Sequence, residues 1–361
     1  STNCCLNMGG KALRQYGIET ERKTSTEFFE LASKISVQLS YGLGITNSVP
    51  IEFKYSPNIS SAPVRCYRTK QDHGDLDVLI KIDNDFKEKN INLKDYVQEH
   101  FNPQIIHSNG GVLSFDYQNF QIDFIPVSES NWKIAQVYFS YDPLGNAMGK
   151  TFHKLNLSYG WDGLKYKYRN FNGRNSHDII VSKNPRKIFE FGGYDYDRYL
   201  EGFDTMEEIF DFIISGKYFN VDIFKMENLS AIDKKRNRKR KSYHEFLKYI
   251  ETFEIESQYH FPENKNLYLP IIDNYFPEAN LLKKIEELDK KDKINRQVSE
   301  KFNGKLIMKW IPGLKGKELG NMITNFKKEL GDNYKKYILE TPQEEIKKQF
   351  IKFYEKEKKE K

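Results

Sequence analysis

His73-Gly74-Asp75-Leu76-Asp77-Val78-Leu79-Ile80-Lys81-Ile82 reads as a β-strand with two carboxylates at its mouth. Val78 to Ile82 is apolar and rich in β-branched residues, as a buried strand requires. Side chains at i and i+2 of a strand point to one face, so Asp75 and Asp77 project side by side. Two bare carboxylates that close repel each other, and one takes up a proton unless a cation lies between them. Paired aspartate oxygens suit Mg²⁺ or Mn²⁺. An Asp-x-Asp at a strand end is also a common solvated turn, so the pair alone does not decide the matter. The second stretch, Phe120-Gln121-Ile122-Asp123-Phe124-Ile125-Pro126-Val127, is an apolar strand with one Asp inside it. A buried, unpaired carboxylate is expensive, which favours a ligand role for Asp123. Three carboxylates on two strands form the ligand set of a two-metal phosphoryl-transfer site.

The composition bounds what surrounds this site. A chain of 361 residues has room for roughly two or three domains. With 26 Phe and 23 Tyr there is ample material for packed cores. The net charge is only +6, but the basic residues are clustered. No apolar run approaches membrane-spanning length, and the N-terminal stretch lacks a signal-peptide core. Cys4, Cys5 and Cys66 give neither a disulfide framework nor zinc spacing. The expectation is a soluble, intracellular, cytoplasmic protein of a reducing compartment with no membrane partner. The abundance of Lys, Asn and Ile fits an AT-rich genome.

Around the two strands, Thr24-Ser25-Thr26-Glu27 supplies an N-cap for a helix whose apolar face is Phe28, Leu31, Ile35 and Leu39. Lys11 to Tyr16 allows a short helix, and Ile51 to Tyr55 an edge strand. Ser60 to Pro63 reads as a loop and Val64 to Arg68 as a short strand leading to the carboxylates. Asp83 to Lys89 is a charged excursion and Leu93 to Phe101 a helix. Gln118-Asn119 separates Val112–Tyr117 from Phe120–Val127 as a hairpin, and this meander brings Asp123 beside the Asp75 strand. Arg68 and Lys70, just upstream of the carboxylates, are placed to hold a triphosphate, although such residues also occur in ordinary solvated turns.

The Gly74-Asp75-Leu76-Asp77-Val78-Leu79-Ile80 stretch resembles the Asp-x-Asp strand of the DNA polymerase β-like nucleotidyltransferase superfamily, and Ile122-Asp123-Phe124 resembles the strand carrying its third Asp. Arg68 falls where related polymerases hold a phosphate-binding Arg. Tyr138-Phe139-Ser140-Tyr141-Asp142-Pro143-Leu144-Gly145-Asn146 is similar to the family X segment that lines the sugar and base, with a helix from Asn146 to Leu157 carrying Lys150, His153 and Lys154. Gly202 to Ile213 resembles the last helix of that unit, with Asp204 or Thr205 as N-cap. The superfamily carries Gly-Ser shortly before the first Asp; here Val64-Arg65 stand in that register. A phosphate loop rebuilt around Arg65, Arg68 and Lys70 is one way to hold a triphosphate without it.

The resemblance covers roughly residues 55 to 215. It implies an α+β fold, a polymerase β-like mixed-sheet palm flanked by helices, followed by a mostly helical C-terminal domain. The implied division is 1–50 as an N-terminal helical segment, 51–220 as the nucleotidyltransferase core, and 221–361 as a helical, basic nucleic-acid-binding domain. It also implies Asp75 and Asp77 on both metals, Asp123 on the metal that activates the 3′-hydroxyl, and Arg68, Lys70, Gly74, Tyr138, Asn146 and Lys150 around an NTP or dNTP. A viral or phage member is expected.

Beyond residue 220 the character changes. Lys234-Lys235-Arg236-Asn237-Arg238-Lys239-Arg240-Lys241 holds seven basic residues in eight. Such a run is often a solvated helix start, but its concentration on an otherwise balanced chain favours a polyanion. Lys235, Arg236, Arg238, Lys239, Arg240 and Lys241 are therefore candidate contacts to nucleic-acid phosphates, ahead of a helix from Ser242 to about Phe253. Tyr243, Tyr249 and Phe253 could stack on bases but suit a core better. Residues 278–302 read as one helix and the tail from Thr341 as another. Between them, Trp310-Ile311-Pro312-Gly313-Leu314-Lys315-Gly316 opens an amphipathic helix through a Gly-rich turn. This part resembles the helical tail of tRNA CCA-adding enzymes and poly(A) polymerases.

The leading expectation is a Mg²⁺- or Mn²⁺-dependent nucleotidyltransferase adding nucleotides from NTP or dNTP to an RNA or DNA 3′ end, with pyrophosphate leaving. The Tyr-Phe…Asn segment favours a templated, gap-filling family X-like polymerase. The helical tail, and the lack of an evident N-terminal DNA-gripping domain, favour untemplated tailing as in CCA addition or polyadenylation. Transfer to a small molecule or protein is a further alternative, against which the basic run speaks. A catalytically silent binding module is a last one, against which the intact Asp trio speaks.

Overall fold

The computed structural model describes residues 12–43 and 60–359. The expected Ile51–Tyr55 strand lies outside them. In chain order come β1 (Lys23–Thr24), α1 (Ser25–Leu43), β2 (Ser61–Pro63), β3 (Asp72–His73) and β4 (Asp75–Ile82). Next are α2 (Asn84–Glu88), α3 (Leu93–Phe101), β5 (Ile106–Asn109), β6 (Val112–Tyr117), β7 (Phe120–Ser128), α4 (Trp132–Phe139) and α5 (Leu144–Lys154). A small sheet of β8 (Leu157–Gly160), β9 (Gly163–Arg169) and β10 (Asn175–Ser182) precedes α6 (Pro185–Phe191), α7 (Tyr196–Glu201) and α8 (Met206–Ile214). The remainder is helical: α9 (Ala231–Asn237), α10 (Lys241–Thr252), α11 (Leu269–Tyr275), α12 (Leu281–Lys301), α13 (Gly304–Trp310), α14 (Gly316–Leu330), α15 (Tyr334–Glu340) and α16 (Gln343–Lys359). The chain has the expected α+β architecture: a mixed five-stranded sheet flanked by helices, followed by a helical C-terminal region. None of the described helices is long and apolar enough to cross a membrane.

The sheet runs β2-β4-β7-β6-β5. β4 and β7 are parallel neighbours, while every other pair in the sheet is antiparallel. The meander β5-β6-β7 thus returns the chain alongside β4, as the hairpin signal at Gln118-Asn119 anticipated. Both turn residues have positive φ, 50° and 57°, the conformation of a two-residue hairpin turn whose twist matches the strands.

Strand alternation then sorts the side chains. Leu76, Val78 and Ile80 of β4, with Phe120, Ile122 and Phe124 of β7, pack against Phe28, Leu31, Ile35 and Leu39 of α1. That helix begins with a capping box, in which the Glu27 carboxylate accepts from the Thr24 amide and hydroxyl, both at 2.8 Å. The opposite face has Leu79, Ile125 and Val127 under Trp132, Ala135 and Phe139 of α4. Asp75, Asp77 and Asp123 share the parity of that second face, towards the N-terminal ends of their strands.

Several boundaries differ from expectation. The strand beside β4 is Ser61–Pro63, where a loop was expected, and Val64–Arg68 is not a strand. The ladder ends as the Val64 amide donates to the Asp77 carbonyl at 2.9 Å. Beyond it Arg65 turns away, its buried guanidinium 5.2 Å from the ring centres of both Tyr141 and Tyr199 and donating to the Tyr199 hydroxyl at 2.8 Å. Asp83, expected in a charged excursion, caps α2 by accepting from the Phe86 amide. Of the expected Lys11–Tyr16 helix, the described residues from Ala12 on form the 3-10 turn Arg14–Tyr16. Helix α5 starts at Leu144 and ends at Lys154 rather than running from Asn146 to Leu157, so Asn146 lies inside its first turn rather than at its start.

The chain forms two compact units, residues 1–166 with 180–279, and 167–179 with 280–361. Helices α9 to α11 therefore group with the sheet. In the second unit, α12 to α16 close over a core that includes Phe302, Ile307, Met322, Phe326, Ile338 and Phe350. The Lys301 ammonium donates to the carbonyls of Leu339 and Thr341 at 2.6 and 3.0 Å, satisfying the end of α15. The β9–β10 hairpin tip belongs to this unit, where the Tyr168 hydroxyl donates to Asp289 at 2.7 Å. The Gly-rich turn has Gly313 and Gly316 at φ 96° and 58°, a left-handed path that favours glycine.

Candidate metal centre

Register brings the carboxylates together. Asp77 stands opposite Asp123 on the parallel β4–β7 pair, and Asp75 lies two residues before Asp77 on the same face. One oxygen from each of the three falls within 4.8 Å of the other two. This is the clustering expected from the sequence, and it is made by backbone hydrogen bonding rather than by flexible loops.

The electrostatics of the trio are unfavourable without a cation. Burial, then the charges of Asp75 and Asp123, push the Asp77 carboxyl well above the usual carboxylate range. Burial and the Asp75 charge raise Asp123 to about 7, while hydrogen bonds from Ser114 and Gln121 hold it back. One oxygen of Asp77 is buried with no hydrogen-bond partner. A buried carboxylate oxygen left bare costs free energy that a hard cation would recover. The residues therefore fit a Mg²⁺ or Mn²⁺ ion, in number, in chemistry and in having a ligand atom to spare.

Two residues that sequence reasoning passed over support Asp123. Gln121 is fully buried, and its Nε2 donates to both Asp123 oxygens at 3.1 and 3.2 Å. Ser114, opposite Asp123 on β6, also hydrogen-bonds to its carboxylate. The signal for Gln121 was present: an amide two residues before Asp123, inside an otherwise apolar strand, points to the same face.

The other expected residues are spread around this centre. Lys70 is half-buried, and its charge draws Asp77 and Cys66 down against burial. Arg68 is engaged elsewhere, donating to Asp204 at 2.5 Å and to the Glu201 carbonyl at 2.8 Å. These bonds, with those from the Arg68 and Thr69 amides to Phe203 and Asp204, pin the 65–69 turn to the start of α8, which Thr205 caps as expected. Gly74 leaves room for Arg22: a Cβ there would sit 2.6 Å from the Arg22 guanidinium. His73 packs face to face on Phe28 at 3.9 Å, and burial lowers its pKa to about 4, so it is a neutral core residue.

Tyr138, Asn146 and Lys150 lie on α4 and α5. The Tyr138 ring packs against Tyr159 at 5.3 Å. The Asn146 Oδ1 is buried without a hydrogen-bond partner. The Lys150 ammonium is buried 3.8 Å from Asp233 and 5.5 Å from the Tyr243 ring centre, and burial lowers its pKa.

The basic run is folded rather than linear. Lys234 to Arg236 close α9, Arg238 to Arg240 form the turn, and Lys241 opens α10, where a helix from Ser242 was expected. Lys235, Arg236, Arg238, Lys239 and Lys241 are exposed. Arg240 is half-buried and pairs with Asp142 at 3.5 Å. Tyr243 is buried and donates to the Phe224 carbonyl at 2.5 Å, and Tyr249 donates to Asp211, so neither is a free stacking platform; Phe253 remains 61% exposed.

No family model matches the chain, and no curated protein matches it. Among solved structures, the crystal structure of Leishmania infantum polymerase beta, a ternary P/T complex, aligns with 49% of this chain and 75% of that one, at 11% identity and a TM-score of 0.35.

Proposed function

We propose that this chain is a Mg²⁺- or Mn²⁺-dependent nucleotidyltransferase that adds nucleotides from NTP or dNTP to the 3′ end of a nucleic acid, with pyrophosphate leaving. The observation that carries the proposal is the convergence of Asp75, Asp77 and Asp123 on two parallel strands, with a buried Asp77 oxygen left bare. The resemblance of the Gly74–Ile80 and Ile122–Phe124 stretches to the polymerase β-like superfamily points the same way.

In this reading Asp75, Asp77 and Asp123 would hold the cation, which when bound would supply charge neutralisation and Lewis acidity for displacement at the α-phosphate. Lys70, whose charge already acts on Asp77, is the better placed of the two basic candidates for the triphosphate. Arg68 shapes the turn that presents Lys70. Tyr138, Asn146 and Lys150 are the candidates for sugar and base; the bare Asn146 Oδ1 supports that assignment. The exposed cations Lys235, Arg236, Arg238, Lys239 and Lys241 would hold the polynucleotide backbone, with Arg240 bracing them on Asp142. By role, residues 51–220 form the catalytic core and 221–361 the nucleic-acid-binding part.

Untemplated tailing of RNA is the preferred form, supported by the helical bundle of residues 280–361 and its likeness in sequence to CCA-adding and poly(A) polymerase tails. A labelled RNA or DNA primer, with and without template, incubated with each single NTP and dNTP and Mg²⁺ or Mn²⁺, tests it. Extension of a single-stranded RNA primer by one or two particular NTPs is expected. Extension only opposite a template base would replace tailing by gap filling. No extension under any condition would remove polymerisation.

A further inference from the structure

The segment from Ala12 to Thr24 runs across the N-terminal ends of the two carboxylate strands. Lys23 pairs with His73, just before Asp75, and Arg22 pairs with Asp72 at 2.7 Å and lies over Gly74. On the β7 side, the Glu21 amide donates to the Asn119 carbonyl at 2.7 Å, and the Ala12 amide donates to the Gln121 side-chain oxygen at 3.0 Å. A backbone N–H can only donate, so the Gln121 side-chain atom facing Ala12 is its oxygen, which leaves Nε2 for Asp123. With Ala12 on one side and Asp123 on the other, the Gln121 amide has one orientation available: Oε1 to Ala12, Nε2 to Asp123. The amide is fully buried, so water cannot substitute for either partner.

We infer that Gln121 is a positioning residue for Asp123 as a divalent-cation ligand, and that residues 12–24 are the strap that sets it. This rests on the metal reading of the aspartate trio. Nε2 bonds to both oxygens of the carboxylate that stands opposite Asp77 across the strand pair. It fixes the rotation of the carboxylate plane, so that Asp123 does not have to be reoriented when the cation arrives. Groups that orient a metal ligand in this way are worth about 10- to 100-fold in affinity.

The test is Mn²⁺ binding to the full chain without nucleotide, followed by the loss of the free-ion electron paramagnetic resonance signal. Gln121→Met keeps the length and removes the amide; Ala12→Pro removes the donor and leaves Gln121 in place. Gln121→Met is expected to weaken Mn²⁺ binding about 10- to 100-fold, and Ala12→Pro to weaken it in the same direction by less. In the extension assay, Gln121→Met should raise the half-saturating Mg²⁺ concentration and recover its rate at high Mg²⁺, with the nucleotide KM unchanged. A purely structural role would lower the rate at every Mg²⁺ concentration. Unchanged Mn²⁺ binding in a folded Gln121→Met overturns the inference, and if that variant does not fold, unchanged binding in Ala12→Pro does so. Absence of Mn²⁺ binding in the unmodified chain would overturn the metal reading itself.

Discussion

Asp77 and Asp123 stand opposite each other on adjacent parallel strands, both largely buried from water, with Asp75 on the same face. Parallel pairing of β4 and β7 is what allows this. Both carboxylates sit near the start of their strands, beyond the part of the face that α4 covers.

This opposition makes the metal-free protein sensitive to pH. The Asp123 carboxyl is raised to about 7 in the folded chain, against an ordinary value near 3.8, and Asp77 is also raised well above that ordinary value. The folded state therefore holds protons that the unfolded state has already lost, so stability falls as pH rises from about 4 through about 7. Urea unfolding midpoints in EDTA should decrease across that window and level off above it for Asp123. Millimolar Mg²⁺ should raise the midpoint more at pH 8 than at pH 5, because ionised carboxylates bind it. A midpoint in EDTA that rises across the same window would contradict a buried, mutually repelling trio.

Neutralising one carboxylate should separate stability from activity. Asp77→Asn removes a buried negative charge while keeping shape and adding a donor. In EDTA at pH 8 it should stabilise the chain, because burial and the Asp75 and Asp123 charges disfavour the ionised Asp77 carboxyl. The same variant should abolish nucleotide incorporation. Thermal unfolding in EDTA beside an incorporation assay checks both signs.

The basic run predicts a salt effect. Arg238→Glu and Lys239→Glu change exposed cations in the turn between α9 and α10 without disturbing the Arg240–Asp142 pair. Nucleic-acid binding should weaken, and the slope of log affinity against log salt should fall by about one for each phosphate no longer neutralised. Affinity for NTP should stay the same. An unchanged slope would place the polyanion elsewhere.

Arg65 gives a contrasting case. It was expected in a rebuilt phosphate loop, yet it is buried against Tyr141 and Tyr199 and hydrogen-bonded to Ser140 and Tyr199. Arg65→Lys loses the planar fork and should lower stability by about 1–3 kcal/mol. Its effect on the NTP KM should be small beside that of Lys70→Ala. Steady-state kinetics with thermal unfolding distinguishes the two.

The carboxylate strands were legible because alternation and apolarity are local: Leu76, Val78 and Ile80 declare one face and leave Asp75 and Asp77 on the other. Asp123 followed from a hairpin signal two residues long. The turn after β2 was not legible, since Val64 to Arg68 has strand-like residues but departs from the sheet to place Arg65 between two tyrosines distant in sequence. Helix α9 was hidden by its own charge, because a run of cations has no apolar period. Its one local mark was Ser230, which caps the helix by accepting from the Asp233 amide. The β8–β10 sheet went unread although Leu164, Tyr166 and Tyr168 alternate with Lys165, Lys167 and Arg169 after an Asp162-Gly163 turn. Gln121 carried a local mark in its spacing from Asp123, but its contact with Ala12, spanning 109 positions, needed the fold.

The aspartate trio as a catalytic metal centre is tested most directly by metal-dependent pyrophosphate release from the chain and from Asp123→Asn, assayed with a nucleic-acid primer and NTP or dNTP over a Mg²⁺ titration. The predicted result is release that requires Mg²⁺ or Mn²⁺ in the unmodified chain, and none above background in an Asp123→Asn that unfolds no more easily in EDTA. Near-normal Mg²⁺-dependent release by folded Asp123→Asn would contradict it.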